Sequence, residues 1–499
     1  MSKQQRTLSD WQAAASKLTI DGRALVNGEM TDALSSETFD CISPIDGQVL
    51  AKVARCSESD VDRAVAVARA SFNRGEWSGM NPRKRKEVLL RWAALIREHT
   101  EELALLETLD AGKPIGDTMA VDIPAAAYCV QWFAEAIDKV GGEVAPADHH
   151  MLGLVTREPI GVVAAVVPWN FPLLMASWKF APALAAGNSV ILKPSEKSPL
   201  TAIRVAQLAL QAGVPAGVFN VLPGFGDTGK ALALHMDVDC LAFTGSTAVG
   251  KQLMQYAGQS NLKRVWLELG GKSANIVLPD CPDMDRAVAA AAGAIFYNMG
   301  EMCTAGSRLL LHRSIKDAFI EKLVATAAGW KPGHPLDPNT SMGAIVDKIQ
   351  LDRVLSYVET GKGEARLLCG GERTLTETGG YYLQPTIFEV NTPKARIATE
   401  EIFGPVLSVI TFDTLDEAIA IANDSEYGLG AAVWTSDLAT AHDAARRLRA
   451  GTVWVNCYEE GGDMNFPFGG YKQSGNGRDK SLHALEKYTE LKSTLVRLR

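Results

Sequence analysis

The sequence predicts an α/β protein with three parts: a doubly wound, Rossmann-type domain, a second α/β domain and a small β element. Three observations carry this. Short β-branched runs alternate with helical segments from Gly161 to Leu269, and such alternation means a parallel sheet covered by helices on both faces. A second strand–helix block follows, from Ser273 to Asn456. The chain has 499 residues, 47% hydrophobic and 22% charged, an ordinary globular composition with length for about three domains of roughly 150 residues.

Taken in order, residues 1–140 read as mostly helical. Ser57-Glu58-Ser59-Asp60 starts a helix whose valines and alanines recur at helical spacing through Ala70. Pro82 opens a second, running to His99; Glu101–Leu109 continues in kind, and a fourth spans Asp117–Val140 before Gly141-Gly142. Residues 143–157 are irregular, then strand-like over Leu152–Thr156, an excursion from the domain.

Strands follow at Val162–Val167, Ser189–Leu192, Val218–Val221, Cys240–Phe243 and Arg264–Leu269. Helices between them are Pro172–Ala186, Pro199–Ala212, Asp227–Met236 and Ala248–Ala257. Gly187 and Gly213 stop two of these, and Ser198-Pro199 reads as an N-cap followed by a first-turn proline. In the second block, strands are predicted at Ser273–Leu278, Arg308–Leu311, Leu407–Phe412, Ala431–Trp434 and Thr452–Asn456. Its helices are Met284–Asn298, Ile315–Ala327, Lys348–Glu359, Leu415–Asn423 and Leu438–Ala450. The terminal Ser493–Arg499 alternates like an edge strand without an obvious partner.

Composition excludes several function classes. Lysine plus arginine is 50 and aspartate plus glutamate 58, a formal charge of −8, which argues against nucleic-acid and anionic-membrane partners. The longest apolar stretch, Gly161–Trp169, is too short to span a bilayer, and the polar N-terminus is unlike a signal peptide. The eight cysteines are dispersed without a C-x-x-C pair, as in reduced cytoplasmic proteins. The histidines show no metal-ligand spacing, so no metal is expected.

Three segments call for chemistry. In Asn298-Met299-Gly300-Glu301-Met302-Cys303-Thr304-Ala305-Gly306 a cysteine sits between glycines in a helix-to-strand loop. Cys303 reads either as a thiolate nucleophile or as a small buried hydrophobe. In Val265-Trp266-Leu267-Glu268-Leu269-Gly270-Gly271-Lys272 a carboxylate interrupts an apolar strand. Glu268 is either a general base raised by burial or an ion-paired core residue, with Lys272 as the partner. Asn170, in Val167-Pro168-Trp169-Asn170-Phe171-Pro172, is either an amide donor to a developing oxyanion or a cap for the following helix.

Cofactor signals stand at the carboxyl ends of strands, where ligands bind in such sheets. Lys193-Pro194-Ser195-Glu196 follows the second strand; a carboxylate there binds ribose hydroxyls and repels a 2′-phosphate, favouring NAD over NADP. Phe243-Thr244-Gly245-Ser246-Thr247 ends a strand and opens a helix able to take a pyrophosphate, though it is not the G-x-G-x-x-G fingerprint. Gly224-Phe225-Gly226 is a further glycine turn, structural or functional.

These motifs, with Glu401-Ile402-Phe403-Gly404-Pro405-Val406 and Pro467-Phe468-Gly469-Gly470-Tyr471-Lys472-Gln473-Ser474-Gly475, resemble NAD(P)-dependent aldehyde dehydrogenases in order and spacing from about Phe39 to Leu498. The resemblance implies Cys303 as nucleophile, Glu268 as base, and Asn170 with the Cys303 N–H as oxyanion hole. It implies Lys193 and Glu196 at the adenosine ribose, Ser246 at the pyrophosphate, and Glu401 with Phe403 at the nicotinamide half. Trp169, Ser195, Gly226, Phe243 and Gly245 complete the expected NAD site. Arg353 departs from the lysine of many relatives near the ribose. The implied division is 1–142 with 160–270 for NAD, 271–476 for catalysis, and 143–159 with 477–499 for oligomerisation.

Glu459, Glu460 and Asp463 lie in a loop that lines the substrate entrance of relatives, and no lysine or arginine occurs between Gly451 and Tyr471. Asp110, Phe171, Trp178 and Phe468 also fall where relatives shape that tunnel. Acids with aromatic faces attract an amine or guanidinium, although the same loop also reads as a solvated acidic surface. The run from Gly475 to Leu485 resembles gamma-glutamyl-gamma-aminobutyraldehyde dehydrogenases of putrescine degradation. The expected substrate is therefore an ω-amino-, ω-guanidino- or gamma-glutamylamino-aldehyde. Alternatives are a broad aliphatic aldehyde dehydrogenase, a cysteine hydrolase that needs no NAD, and a non-enzymatic relative. An edge strand needs cover, so a homo-oligomer is expected, a tetramer rather than a dimer.

Overall fold

The computed structural model describes residues 6–498. Its first sheet has seven strands in the order Arg264–Glu268, Cys240–Thr244, Val162–Val166, Ser189–Lys193, Phe219–Val221, Ala24–Val26, Glu29–Thr31. The first five are parallel. Val162–Val166 lies between Ser189–Lys193 and Cys240–Thr244, so the strand order reverses beside it. That switch point opens a crevice at the strand carboxyl ends, where ligands bind in such sheets. All five residues of Val162–Val166, Ser189–Lys193 and Cys240–Thr244 are buried, as expected for a sheet with helices on both faces.

The predicted helix Pro172–Ala186 is observed with those bounds, and Gly187 ends it in the left-handed conformation. Gly213 ends Leu200–Ala212 in the same way. Its start differs from expectation. Ser198 Oγ donates to the Trp169 carbonyl, and the Leu200 N–H donates instead to Asp110 Oδ2 at 3.0 Å. A carboxylate distant in sequence thus satisfies an orphan amide of the first turn.

Residues 1–140 are less helical than predicted. Ala24–Val26 pairs with Glu29–Thr31, and Thr38–Ile42 with Val49–Ala54. The first hairpin turns at Asn27-Gly28, both at positive φ (56° and 80°); Asn-Gly is a strong hairpin signal, here between strands too short to show alternation.

The second sheet has seven strands in the order Ala365–Cys369, Thr386–Val390, Val406–Phe412, Arg308–His312, Ala274–Val277, Gly430–Trp434, Thr452–Val455. Only its first pair is antiparallel. The terminal strand does have a partner. Thr489–Arg497 pairs antiparallel with Met151–Pro159, which also pairs with Glu143–Ala145. The two segments read as an excursion and an orphan strand thus form one three-stranded sheet. On its exposed turn, Asp148, His149 and His150 bring ligand atoms within 4.8 Å of one another. Among the described residues, no helix is long and apolar enough to cross a membrane.

Candidate active site

The nucleophile loop begins where helix Met284–Phe296 ends. Asn298, Met299 and Gly300 follow at positive φ (47°, 54° and 70°), a costly turn for the two non-glycine residues that the surroundings must hold. Asn298 Nδ2 donates to the carbonyls of Glu301 at 3.2 Å and Asn170 at 3.1 Å. The buried Glu301 carboxyl accepts the Val346 N–H at 3.1 Å. Cys303, held by this lattice, is half-buried and lines a cavity of about 840 Å³. Burial, then the charges of Glu459, Glu401 and Glu268, push its thiol upward, so the resting sulfur is protonated.

Asn170 does not cap the helix after it; that position belongs to Phe171, without a side-chain bond. Its Nδ2 donates to Glu301 O at 2.7 Å. An amide nitrogen has two hydrogens, so one remains for an oxygen beside Cys303. Asn298 and Glu301, which build this geometry, were not singled out from sequence; their proximity to Asn170 arises across 128 and 131 residues.

Glu268 ends strand Arg264–Glu268 and is 3% exposed, with neither carboxylate oxygen hydrogen-bonded. Burial first, then Asp479, push its carboxyl well above the usual range, against the opposing pull of Lys179, Lys487 and Arg478. Among the described residues no ion pair joins it to Lys272, whose buried ammonium is also unpartnered. The carboxylate lies behind the cavity wall. A Cβ on Gly469 would stand 2.7 Å from Glu268 Oε1.

The two glycines after Glu268 have separate steric reasons. A Cβ on Gly270 would meet the Glu401 carboxylate at 2.2 Å, and one on Gly271 the Cys303 carbonyl at 2.2 Å. Gly271 N donates to Glu401 Oε1 at 2.9 Å, while burial pushes the Glu401 carboxyl up to about 7. Arg353 Nη2 donates to the Glu401 carbonyl at 3.0 Å, fixing the backbone of this carboxylate.

Of the expected cofactor residues, Trp169, Gly245, Ser246, Glu401 and Phe403 line the cavity that contains Cys303. Phe403 has φ 61° and its carbonyl accepts Gln350 Nε2 at 2.6 Å; Gln350 was not anticipated. Lys193, Ser195, Glu196, Gly226 and Phe243 lie outside that lining. Lys193 Nζ is 3.6 Å from Glu196 Oε2 at the end of its strand, and Gly226 starts helix Gly226–Leu234. Phe243 is buried, and a Cβ on Gly245 would touch its ring at 2.4 Å. Ser246 caps helix Thr247–Gln259, accepting Val249 N at 3.4 Å. The residues fit a dinucleotide: a helix N-terminus for phosphate in the switch-point crevice, and carboxylates at either side for ribose hydroxyls.

Phe171, Trp178, Phe468 and Glu459, expected at the substrate end, also line the cavity, joined by Trp454 and Tyr458. Glu459 Oε1 accepts the Thr304 hydroxyl, and burial pushes its carboxyl up to about 7. Two expected pocket residues lie elsewhere. Asp110 is buried at the start of helix Leu200–Ala212, and Asp463 turns back to Met464 N and Asn465 Nδ2. Glu460 lines the mouth but is 2.8 Å from Arg286. Lys480 also enters the lining, its Nζ donating to Gly462 O at 2.6 Å. The loop's own lack of cations is therefore offset by residues distant in sequence, leaving Glu459 as the loop acid in the lining that accepts from an uncharged partner, Thr304.

With this geometry in view, comparisons with known proteins agree. The profile of the Aldehyde dehydrogenase family matches residues 31–494. The NADP/NAD-dependent aldehyde dehydrogenase PuuC of Escherichia coli K12 is 56% identical over 492 residues, covering 98% of this chain and 99% of that protein. The crystal structure of a gamma-glutamyl-gamma-aminobutyraldehyde dehydrogenase from Burkholderia cenocepacia J2315 is 77% identical, with TM-score 0.98, covering 99% of this chain and 100% of that one. The indole-3-acetaldehyde dehydrogenase AldA of P. syringae, solved with NAD+ and IAA, is 62% identical with TM-score 0.98, again covering 99% and 100%. The two parallel-rich sheets, the cavity between them and these matches lead to one conclusion: the chain belongs to the aldehyde dehydrogenase family, NAD(P)-dependent oxidoreductases of aldehydes.

Proposed function

We propose that this chain oxidises ω-amino-, ω-guanidino- or gamma-glutamylamino-aldehydes of polyamine catabolism to their acids, with NAD preferred over NADP. The observation that carries the substrate class is Glu459, a carboxylate inside an aromatic-walled cavity that also contains Cys303. A cation at the far end of the substrate gains from that carboxylate and from the ring face of Phe468, since Lys480 Nζ already lies 5.7 Å over the Trp178 ring. The gamma-glutamyl-gamma-aminobutyraldehyde dehydrogenase likeness supports the same class. The preference for NAD rests on Glu196 beside Lys193, whose charge disfavours a 2′-phosphate; PuuC carries both cofactors in its name.

In this reading Cys303 Sγ loses its proton and attacks the aldehyde carbon. The oxygen that becomes anionic is held by the remaining Asn170 Nδ2 hydrogen and the Cys303 N–H. Glu401, Phe403 and the Ser246 helix start would hold NAD, which would take the hydride that leaves the thiohemiacetal carbon as its oxyanion collapses to the thioester. The thioester left on Cys303 is hydrolysed by water that gives its proton to Glu268.

A second reading, an aryl or aliphatic aldehyde, is favoured by the apolar rings of the same wall and by the AldA likeness. Turnover of 4-aminobutyraldehyde, 4-guanidinobutyraldehyde and gamma-glutamyl-gamma-aminobutyraldehyde against hexanal and indole-3-acetaldehyde separates them. We expect a cationic or gamma-glutamylated substrate to exceed hexanal in kcat/KM by about tenfold, roughly 1.4 kcal/mol. Glu459→Gln should cut kcat/KM for 4-aminobutyraldehyde about tenfold more than for hexanal. Equal preference for hexanal would sink the cationic class.

The proposed division gives 1–142 with 160–270 the cofactor, 271–476 the catalytic loop, and 143–159 with 477–499 the assembly role, supported by the separation of the two seven-stranded sheets and the three-stranded one. A homo-oligomer, a tetramer rather than a dimer, is proposed because Leu491 and Leu495 are 62% and 69% exposed along one face of the terminal strand. Such a strand is protected by a second copy. Leu495→Asp should lower the mass seen by light scattering; a monomeric wild type would end the idea. The eight free thiols support a cytoplasmic location.

A further inference from the structure

Three buried charged side chains from distant parts of the chain lie near enough to Glu268 for their charges to act on its carboxyl. Lys179 comes from helix Pro172–Ala186, Asp479 from the segment after Gly475, and Lys487 from the 3₁₀ turn Leu482–Tyr488. Asp479 accepts Lys179 Nζ through Oδ2 and Lys487 Nζ through Oδ1, and all three are buried. The carbonyl of Lys487 accepts Trp266 Nε1 at 3.2 Å. Trp266 lies two residues before Glu268 on the same strand, so both side chains leave the same face of the sheet. Other polar groups here include Arg478, whose Nη1 donates to the Gly470 and Gly477 carbonyls, Cys240, whose Sγ donates to the Lys487 carbonyl at 3.6 Å, the buried Cys129 thiol, and the unpartnered Tyr488 hydroxyl.

The charge balance singles out one residue. Lys179 and Asp479 cancel each other as a pair and offer an ionised Glu268 no net compensation. Lys487 is the second ammonium. With it, the four buried side chains sum to zero when Glu268 is ionised; without it, compensation falls to Arg478, a half-buried guanidinium already committed to the Gly470 and Gly477 carbonyls.

We propose that Lys487, delivered by the turn that leads into the terminal strand, is a positioning residue for Glu268, supplying the cation against which that carboxylate ionises. This rests on Glu268 being the hydrolytic base. Hydrolysis needs the carboxylate, and a nearby cation favours it, so removing the cation shifts ionisation to higher pH.

The test is acetyl-enzyme hydrolysis, which needs no NAD. p-Nitrophenyl acetate acylates Cys303 with release of p-nitrophenolate, the burst counts working sites, and the decay to acetate is followed against pH. Lys487→Met should move the acid limb up by about one pH unit, the low end for a neighbouring charge. Lys487→Arg should restore it, and Asp479→Asn, which removes the anion, should move it down. An unmoved limb in Lys487→Met overturns the proposal; if that variant does not fold, an unmoved limb in Asp479→Asn does so. Glu268→Gln separates the two levels. Wild-type decay in that variant defeats Glu268 as base. Slow decay there, with an unmoved limb in Lys487→Met, defeats only Lys487.

Discussion

Cys303→Ala is expected to abolish NADH formation from every aldehyde, a loss on the order of 10⁴-fold or more, as for removal of an attacking nucleophile. Alanine fits the space of the half-buried thiol, and the loop is held by Asn298 and Glu301 rather than by the sulfur, so the variant should fold. NADH production assayed spectrophotometrically decides it. Activity surviving at a tenth of wild type or more, about 1.4 kcal/mol, would remove Cys303 from the chemistry. The pH profile carries the same argument. Burial, then Glu459, Glu401 and Glu268, raise the thiol, so the reactive thiolate becomes more abundant as pH rises. The kcat/KM of the free enzyme should therefore climb from neutral into alkaline pH, and a plateau reached below neutrality would contradict this electrostatic environment.

Glu268→Gln should leave acylation possible and stop hydrolysis. We expect a burst of NADH approaching one per site, followed by turnover reduced about 10²- to 10⁴-fold, the usual span for loss of a general base. Glutamine is close in size and the carboxylate has no hydrogen-bond partner to lose, so packing should survive. Stopped-flow absorbance gives the burst, and intact mass of the quenched protein gives the thioester. A slow variant that shows neither burst nor thioester would assign Glu268 to the step before hydride loss. The NAD-independent cysteine hydrolase alternative fails on the same data if wild-type NADH yield matches acid produced.

Much of the fold was legible because local signals agreed with the tertiary outcome. Pro172 and Gly187 bound their helix in sequence as in structure, and the buried strands announced themselves as continuous β-branched runs. The hairpins before Ala54 were not recognised. Their strands of three to six residues are too short for periodicity, and only the turn dipeptide Asn27-Gly28 marks one of them. At the site, Glu268 stood out because it interrupts an apolar strand, Cys303 because it lies between glycines in a loop, and Asn170 because it follows the carboxyl end of a strand. Asp110 was placed by resemblance alone, and its carboxylate instead accepts the first-turn Leu200 amide of helix Leu200–Ala212, a contact no local pattern encodes.

The sequence by itself determined the α/β class, the two parallel blocks and the three groups expected to do chemistry, since these depend on periodicity and short motifs. Tertiary structure alone decided which acids line the cavity that holds Cys303. Glu460 meets Arg286 across 174 residues, Lys480 enters a cavity whose loop lacks cations, and Asp463 turns away. It alone also brought Lys179, Asp479 and Lys487 near Glu268. Charge acts through space, and residues far apart along the chain settle its balance only when folding brings them together.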